Sequence, residues 1–176
     1  MKEGNFISQK KYTKGILQKF KTMDCRSVVI PLTTNEKFKK DNGQKKANSS
    51  LYRSLIGSLL YLTSTRSDIM FASSLLSIFM QEPRQVHYRV AKRVLCYLQG
   101  TMDYGIMFQF GGDLNLIGYS DSDWAGRIND MKSTSSYAFL FESSICSWLS
   151  KKQSVVAQST AEVEYVSATK TTFQAI

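Results

Sequence analysis

Two carboxylates near the end of this 176-residue chain have a spacing that could serve metal-ion chemistry. A short apolar segment ends at Asp121, and Glu164 follows 43 residues later in a segment with helical periodicity. Hard divalent cations prefer oxygen ligands, and two of them roughly 4 Å apart can clamp the attacking water and the leaving oxygen of a phosphodiester. The 12 residues after Glu164 contain no further acid, so we expect part of such a carboxylate cluster, cut short.

Asp123 and Glu162 are near neighbours of the same chemical type. On a helix of about 3.6 residues per turn, Glu162 lies about 200° from Glu164 and faces another way, and position on the helix favours Glu164. A second interpretation stays open. An Asp at a strand end and a Glu in a first helical turn are also ordinary turn and capping residues, favoured there by the helix dipole.

The elements that must position these acids follow a change of period after Gly100. Residues 106–110 and 114–120 read as two strands about a glycine turn, and residues 137–141 and 145–149 read as a hairpin. Apolar residues occupy both alternation faces, as expected of a sheet covered on both sides. Ser159 or Thr160 then caps a last helix, whose apolar residues are Val163, Val166, Ala168 and Phe173. The order is strand, hairpin, helix.

The first hundred residues read as helical. Ser8 can cap a helix over residues 8–20, with one apolar face made of Tyr12, Ile16, Leu17 and Phe20. We expect residues 28–31 to form a short extended stretch, because Ile30 precedes Pro31 and is kept out of the helical region, and residues 33–50 to form a polar linker with an Asn42–Gly43 turn signal. Three helical runs between residues 51 and 100, divided near Asp68 and Pro83, predict a small bundle.

Positive charge is concentrated at the front of the chain. Residues 1–50 hold 12 Lys or Arg against 4 acids, a net charge of +8, whereas residues 51–176 hold 11 against 10, a net charge of +1. Such a segment could neutralise nucleic-acid phosphates, and the alternative is a solvated lysine-rich surface. The lysines that we predict to contact nucleic acid share the exposed face or the end of the first helix: Lys10, Lys11, Lys14, Lys19 and Lys21.

Composition excludes several classes of protein. Hydrophobic residues make up 43% of the chain, which is enough to bury a core, and no apolar run approaches the roughly 20 residues that span a bilayer. The first residues lack the apolar core of a signal peptide, so we expect an intracellular protein of the cytoplasm or nucleus. The odd number and spacing of Cys25, Cys96 and Cys146 predict reduced, mostly buried thiols. His87 reads as a surface or packing residue, and Trp124 and Trp148 as core residues.

Several motifs in one order resemble the Pol polyprotein of copia-type LTR retrotransposons. They are residues 52–63, 118–126, 132–137, 147–153 and 159–165. The resemblance covers nearly the whole chain. Residues from about 5 to 103 resemble the thumb and connection of the reverse transcriptase, and residues from about 104 to 176 resemble the front of the ribonuclease H domain. Ser67 stands where the family usually has Pro, and Ser136 stands where Gly is usual.

The resemblance implies the ancestral chemistry. Asp121 corresponds to the first catalytic Asp and Glu164 to the catalytic Glu of a Mg²⁺-dependent ribonuclease H, which hydrolyses RNA in an RNA–DNA hybrid. The Tyr-x-Asp-Asp polymerase motif of the family is absent from these 176 residues. We therefore expect a retrotransposon-derived Pol fragment with an incomplete site, little or no catalysis and no tightly bound ion.

The predicted fold class is α/β (α+β): a small helical thumb-like bundle followed by an incomplete ribonuclease H-like sheet. Its parts are a basic front segment (1–50), a helical thumb-like part (51–103) and a truncated ribonuclease H-like part (104–176). We expect weak, non-specific binding to an RNA–DNA hybrid or DNA, no membrane partner, and self-association through an exposed sheet edge at residues 114–119. One alternative is a nucleic-acid-binding module, and another is an effector-like protein of retroelement origin, whose Arg-x-Leu-Arg string would correspond to residues 93–96.

Overall fold

The chain folds into two compact units of mixed α and β structure. A computed structural model describes residues 4–33, 45–109, 111, 115–124, 131–141 and 144–176. Residues 7–105 form the helical unit, and residues 1–6 with 106–176 form the sheet unit. This is an α+β fold, as predicted from the sequence.

The helical unit contains the predicted bundle. Its helices are α1 (Lys10–Lys19), α2 (Ser49–Leu62), α3 (Met70–Ser77) and α4 (Gln85–Gly100), and a 3₁₀ turn over Ser67–Ile69 precedes α3. The predicted start of α1 is wrong, because Gln9 rather than Ser8 is its N-cap residue. The extended stretch predicted over residues 28–31 forms no strand, and most of the predicted linker, with Asn42 and Gly43, lies outside the described residues.

Helical spacing of apolar residues builds the core of this unit. Leu55, Leu59 and Leu62 on α2 are fully buried together with residues of α1 and α4, whereas Leu51 and Leu60 on the same helix are exposed. Tyr52 is buried in the same core and donates its hydroxyl to the Leu76 carbonyl oxygen at 2.8 Å, and burial raises the pKa of the Tyr52 hydroxyl. Buried polar groups need such partners, since an unpaired one costs about 1–3 kcal/mol.

The histidine is a packing residue. His87 is fully buried, and its ring stacks on Phe79 with centroids 3.9 Å apart. Its Nδ1 accepts a hydrogen bond from the backbone N–H of Arg84 at 3.1 Å, at the N-terminal cap of α4. His87 therefore stabilises the start of α4.

A buried ion pair joins the end of α4 to the turn before α3. The Arg66 side chain is 2% exposed, and its Nη2 donates to Asp68 Oδ2 at 2.7 Å. Arg66 also donates from Nη1 to the Thr101 carbonyl oxygen at 2.9 Å and from Nη2 to the Thr101 hydroxyl at 2.6 Å. Tyr97 donates its hydroxyl to Asp68 at 2.8 Å, and burial together with Asp68 raises the pKa of Tyr97 to about 12. The guanidinium thus has partners on both sides.

The described residues of the sheet unit form a two-stranded sheet, a three-stranded antiparallel sheet and one helix. Strand β1 (Gly4–Ile7) pairs with β2 (Ile106–Gln109), and β3 (Leu116–Asp123), β4 (Thr134–Phe141) and β5 (Ser144–Lys152) form an antiparallel sheet in that order. Helix α5 (Thr160–Ala175) follows. The predicted order of strand, hairpin and helix is confirmed in β3, β4, β5 and α5.

Several finer predictions for this unit are wrong. β2 and β3 both form, but the described residues place them in different sheets, and β2 takes β1 as its partner instead. Part of the predicted glycine turn lies outside the described residues, although Gly111 has the positive φ of 81° that a turn glycine adopts. Ala168, Phe173 and Cys146 are exposed, and Trp124 is 47% exposed. No helix among the described residues is long and apolar enough to cross a bilayer.

The outer edge of β3 has no strand partner among the described residues. Leu116, Ile117 and Tyr119 on this strand are each about half exposed. An edge strand of eight residues presents unpaired backbone donors and acceptors, and apolar side chains on it favour pairing with another chain.

The Arg66–Asp68 pair predicts a stability change. The pKa of Asp68 is lowered from its ordinary 3.8, because the hydrogen bonds and charge of Arg66 outweigh the opposing effect of burial. Asp68→Asn leaves a buried guanidinium without its counter-charge, so we expect a loss of about 3 kcal/mol in the free energy of unfolding by urea at pH 7. Because the folded pKa is lowered, the advantage of wild type should shrink as the pH falls below 3.8.

Asp103→Asn is the matched control, since Asp103 pairs with Lys10 on the protein surface, where both side chains are mostly exposed. Surface pairs contribute about 0–1 kcal/mol, so this variant should lose less than that. Equal losses in the two variants would contradict the stabilising role of the buried pair.

The β3 edge predicts self-association. Ile117→Lys places a charge on the edge strand, which discourages pairing between chains. Size-exclusion chromatography with light scattering at tens of micromolar should show oligomers for wild type and a larger monomer fraction for the variant. A monodisperse wild-type monomer would refute the prediction.

Candidate functional site

The N-terminal cap of α5 separates the roles of its two acids. The Ser159 hydroxyl accepts a hydrogen bond from the Glu162 N–H at 3.2 Å, and Glu162 Oε2 accepts one from the Gln158 N–H at 2.8 Å. Glu162 is therefore a capping residue, as such an acid in a first turn usually is. Glu164 lies outside this cap, and its side chain is exposed.

Polar contacts fix α5 beside the strand that carries Asp121. The Ser167 hydroxyl donates to the Asp121 carbonyl oxygen at 2.8 Å and lies 3.0 Å from the Ser120 hydroxyl. Gln153, which is almost fully buried, donates from Nε2 to the Val163 carbonyl oxygen at 3.2 Å and to Ser135 Oγ at 2.7 Å. Because residues three apart on a helix are neighbours, the structure places Glu164 one turn from the residue that contacts Asp121.

The direction of the Asp121 side chain limits what the pair can do. Ser120 faces α5, and successive side chains of a strand point to opposite faces, so the Asp121 carboxylate lies on the face away from the helix. Within the described residues, no three His, Cys, Asp or Glu side chains converge. These residues do not fit a site for two divalent cations, which requires several carboxylates aimed at one point.

The two units carry net charges of opposite sign. The helical unit holds 17 Lys or Arg against 6 acids, a net charge of +11, whereas the sheet unit holds 6 against 8, a net charge of −2. The field that attracts a polyanion therefore belongs to the helical unit. The unit that carries Asp121 and Glu164 has no excess of positive charge.

Helix α1 exposes the predicted lysines because it buries its other face. Thr13, Ile16 and Leu17 are buried, and all five predicted lysines are exposed. Lys10 forms an ion pair with Asp103, and Lys19 donates to the Ser54 hydroxyl at 2.8 Å. In the part of the chain that the structure describes, Lys11, Lys14 and Lys21 form no ion pair. The structure thus places Lys10, Lys11, Lys14 and Lys19 on α1, and Lys21 follows the C-cap residue Phe20.

A groove between α1 and α2 contains residues that the sequence analysis did not identify as functional. Its volume is about 580 Å³. Tyr12 and Tyr61 meet there edge to face, with ring centroids 4.7 Å apart and planes at 66°. Tyr12 was predicted to lie in the core, yet it is 38% exposed, and Tyr61 is 59% exposed. In the sequence, both tyrosines lie at the borders of apolar stripes, and this position was the signal that could have identified them.

The chain is similar to long polyproteins of plant transposons. It is 39% identical over 169 residues to the Retrovirus-related Pol polyprotein from transposon RE2 of Arabidopsis thaliana, a match that covers 96% of this chain and 12% of that protein. It is 38% identical over 174 residues to the Retrovirus-related Pol polyprotein from transposon TNT 1-94 of Nicotiana tabacum, covering 94% of this chain and 13% of that protein. The chain therefore spans about an eighth of the length of these relatives.

A shorter relative matches over most of its own length. The chain is 43% identical over 126 residues to the Secreted RxLR effector protein 161 of Plasmopara viticola, which covers 71% of this chain and 89% of that protein. No protein-family model matches the chain, and no solved structure matches it. From its identity to the transposon polyproteins over nearly its whole length, the chain belongs to the copia-type retrovirus-related Pol polyproteins.

Proposed function

We propose that this chain serves reverse transcription in a retrotransposon Pol polyprotein by holding nucleic acid on the basic face of α1, without hydrolysing it on its own. The observation that carries the proposal is the segregation of charge, with +11 on the helical unit and −2 on the sheet unit. Phosphate neutralisation by Lys and Arg releases counterions and supplies sequence-independent affinity. An RNA–DNA hybrid or DNA is the substrate class that suits such a surface.

The arrangement of α1 supports this proposal. A rigid helix whose apolar face is packed into the core holds its lysines at fixed spacing, so several can contact one phosphate backbone together. Lys10, Lys11 and Lys14 lie within about 100° of one another around the helix axis, and Lys19 lies about 80° from Lys11. Lys11, Lys14 and Lys21 are exposed and form no ion pair within the described part of the chain, so they are the lysines most available to a ligand.

Hydrolysis is the second part of the proposal. Asp121 and Glu164 match, by resemblance, two carboxylates of a ribonuclease H site, and oxygen donors of this kind suit Mg²⁺. Two exposed acids, with no cluster of three potential ligands among the described residues, supply too few ligands for a two-metal clamp. We therefore propose that any ribonuclease H activity of the family needs further groups that are not among the described residues.

An effector role finds less support. The string corresponding to Arg-x-Leu-Arg is Arg93 to Cys96, and it lies inside α4 with Val94 and Leu95 fully buried. A recognition motif must be accessible, and unfolding α4 would expose the core. The name of the Plasmopara relative thus describes that protein, and a nucleic-acid role suits this chain better.

Substituting two lysines of α1 tests the proposed binding surface. Lys11→Gln with Lys14→Gln should weaken binding to a fluorescent RNA–DNA hybrid, measured by anisotropy. Loss of two phosphate contacts should also reduce the slope of log affinity against log salt concentration by about 2.

Lys151→Gln with Lys170→Gln removes the same charge from exposed positions of the sheet unit and is the control. It should leave the affinity near that of wild type. Equal weakening by both pairs, or wild-type binding that salt does not change, would contradict a surface on α1.

Hydrolysis is tested with the same hybrid. The purified chain should release no labelled RNA fragment in Mg²⁺ or Mn²⁺, because two carboxylates cannot clamp both the attacking and leaving oxygens. A complete ribonuclease H serves as positive control. Cleavage by this chain that disappears in Asp121→Asn would show that the two acids suffice.

A further inference from the structure

A glycine, Gly15, lies in the wall of the groove between α1 and α2 and faces open space. Gly15 lines the groove together with Ile16, and a Cβ added at Gly15 would meet no atom within 4 Å. Glycine in a helix interior costs roughly 0.5–1 kcal/mol relative to alanine. The missing side chain at Gly15 leaves room for a ligand. Most other residues at this position would stabilise the helix more than glycine does.

The aromatic pair offers a flat apolar surface. Tyr12 and Tyr61 support each other edge to face, and both rings remain partly exposed. In an edge-to-face pair one ring presents its edge to the other, so a ring face stays available to a third planar group. A nucleobase is such a group, and its stacking on an aromatic side chain contributes affinity that tolerates any base.

Two cations flank this surface. Lys11 and Lys19 both line the groove, and the other described lining residues include serines and a glutamine but no acid. An apolar peptide would leave both ammonium groups without a counter-charge, whereas a nucleotide supplies a phosphate beside its base. Charge complementarity therefore favours a nucleotide over an apolar peptide. The groove volume of about 580 Å³ lies in the usual range of small-ligand sites.

We infer that the α1–α2 groove binds a nucleobase of single-stranded nucleic acid against Tyr12 and Tyr61, with the adjacent phosphate at Lys11 and Lys19. The inference rests on the proposed nucleic-acid role and adds a base-binding site to it. It implies that unpaired nucleotides bind more tightly than a sugar–phosphate backbone alone.

Base stacking is tested with two single strands of equal charge. One is a labelled oligonucleotide of about twelve thymidines, and the other has the same length and no bases. Wild type should bind the thymidine strand ~10-fold more tightly by anisotropy, since stacking adds to the phosphate contacts. Gly15→Leu should fill the groove and reduce this preference to about onefold, with little change in binding of the abasic strand.

Gly57→Leu is the matched control. Gly57 is also a helical glycine with no atom within 4 Å of an added Cβ, but it lies outside the groove. It should keep the preference of wild type. Tyr61→Leu, at a half-exposed ring, is a second variant that should lose the preference and retain the helical circular dichroism of wild type.

The outcomes separate the two proposals. Equal binding of both strands by wild type, or a preference that survives in both Gly15→Leu and Tyr61→Leu, overturns the base-binding site and leaves the backbone-binding function standing. No binding of either strand overturns the base-binding site, and if the RNA–DNA hybrid is not bound either, the backbone-binding function is overturned as well. If an apolar peptide displaces the thymidine strand and the abasic strand does not, the groove binds a peptide and not a nucleobase.

Discussion

Burial of one face of α1 is the constraint on which the basic surface depends. Ile16, Leu17 and Phe20 pack into the core with residues of α2 and α4, and this packing fixes the rotation of the helix about its axis. At about 100° per residue, the lysines between these positions then have to face water. An unpacked α1 would be marginal, because isolated helices of about ten residues are rarely stable in water. The tertiary core thus arranges the charges.

In the sheet unit, polar contacts replace much of the apolar packing that holds the helical unit together. Helix α5 buries few apolar side chains, and its attachment relies on polar contacts of Ser167 and Gln153 with strand residues and its own backbone. Each such hydrogen bond contributes only about 0.5–1.5 kcal/mol net. Exposed Tyr165 and Phe173 on the same helix add apolar surface without a described partner. A unit held in this way, with an open β3 edge, is less self-sufficient than the helical unit, whose core is continuous.

Local sequence patterns predicted the helices and strands, but they did not predict the long-range contacts between them. Leu55 and Leu59 follow helical spacing, and Ser159 is a favoured cap, so both predictions needed only neighbouring residues. The pairing of β1 with β2 joins segments about a hundred residues apart, and no local pattern signals it. Arg66 is buried because Asp68 and Thr101 surround it, whereas an isolated arginine is expected in solvent.

The candidate site was predictable to a similar degree. The exposure of the α1 lysines follows from amphipathicity, and the sequence resemblance pointed to Asp121 and Glu164. Which way Asp121 faces depends on the side of the sheet that α5 covers, and that became known only from the Ser120–Ser167 contact. The groove needs two helices side by side, so its tyrosines could not be paired from the sequence.

Lysine footprinting of the whole chain tests the central claim most directly. Acetylation of each lysine is measured by mass spectrometry with and without a saturating RNA–DNA hybrid at low salt. The hybrid should protect Lys11 and Lys14 on the helical unit and leave Lys151 and Lys170 on the sheet unit as reactive as before. Protection concentrated on the sheet unit, with α1 unchanged, would contradict it.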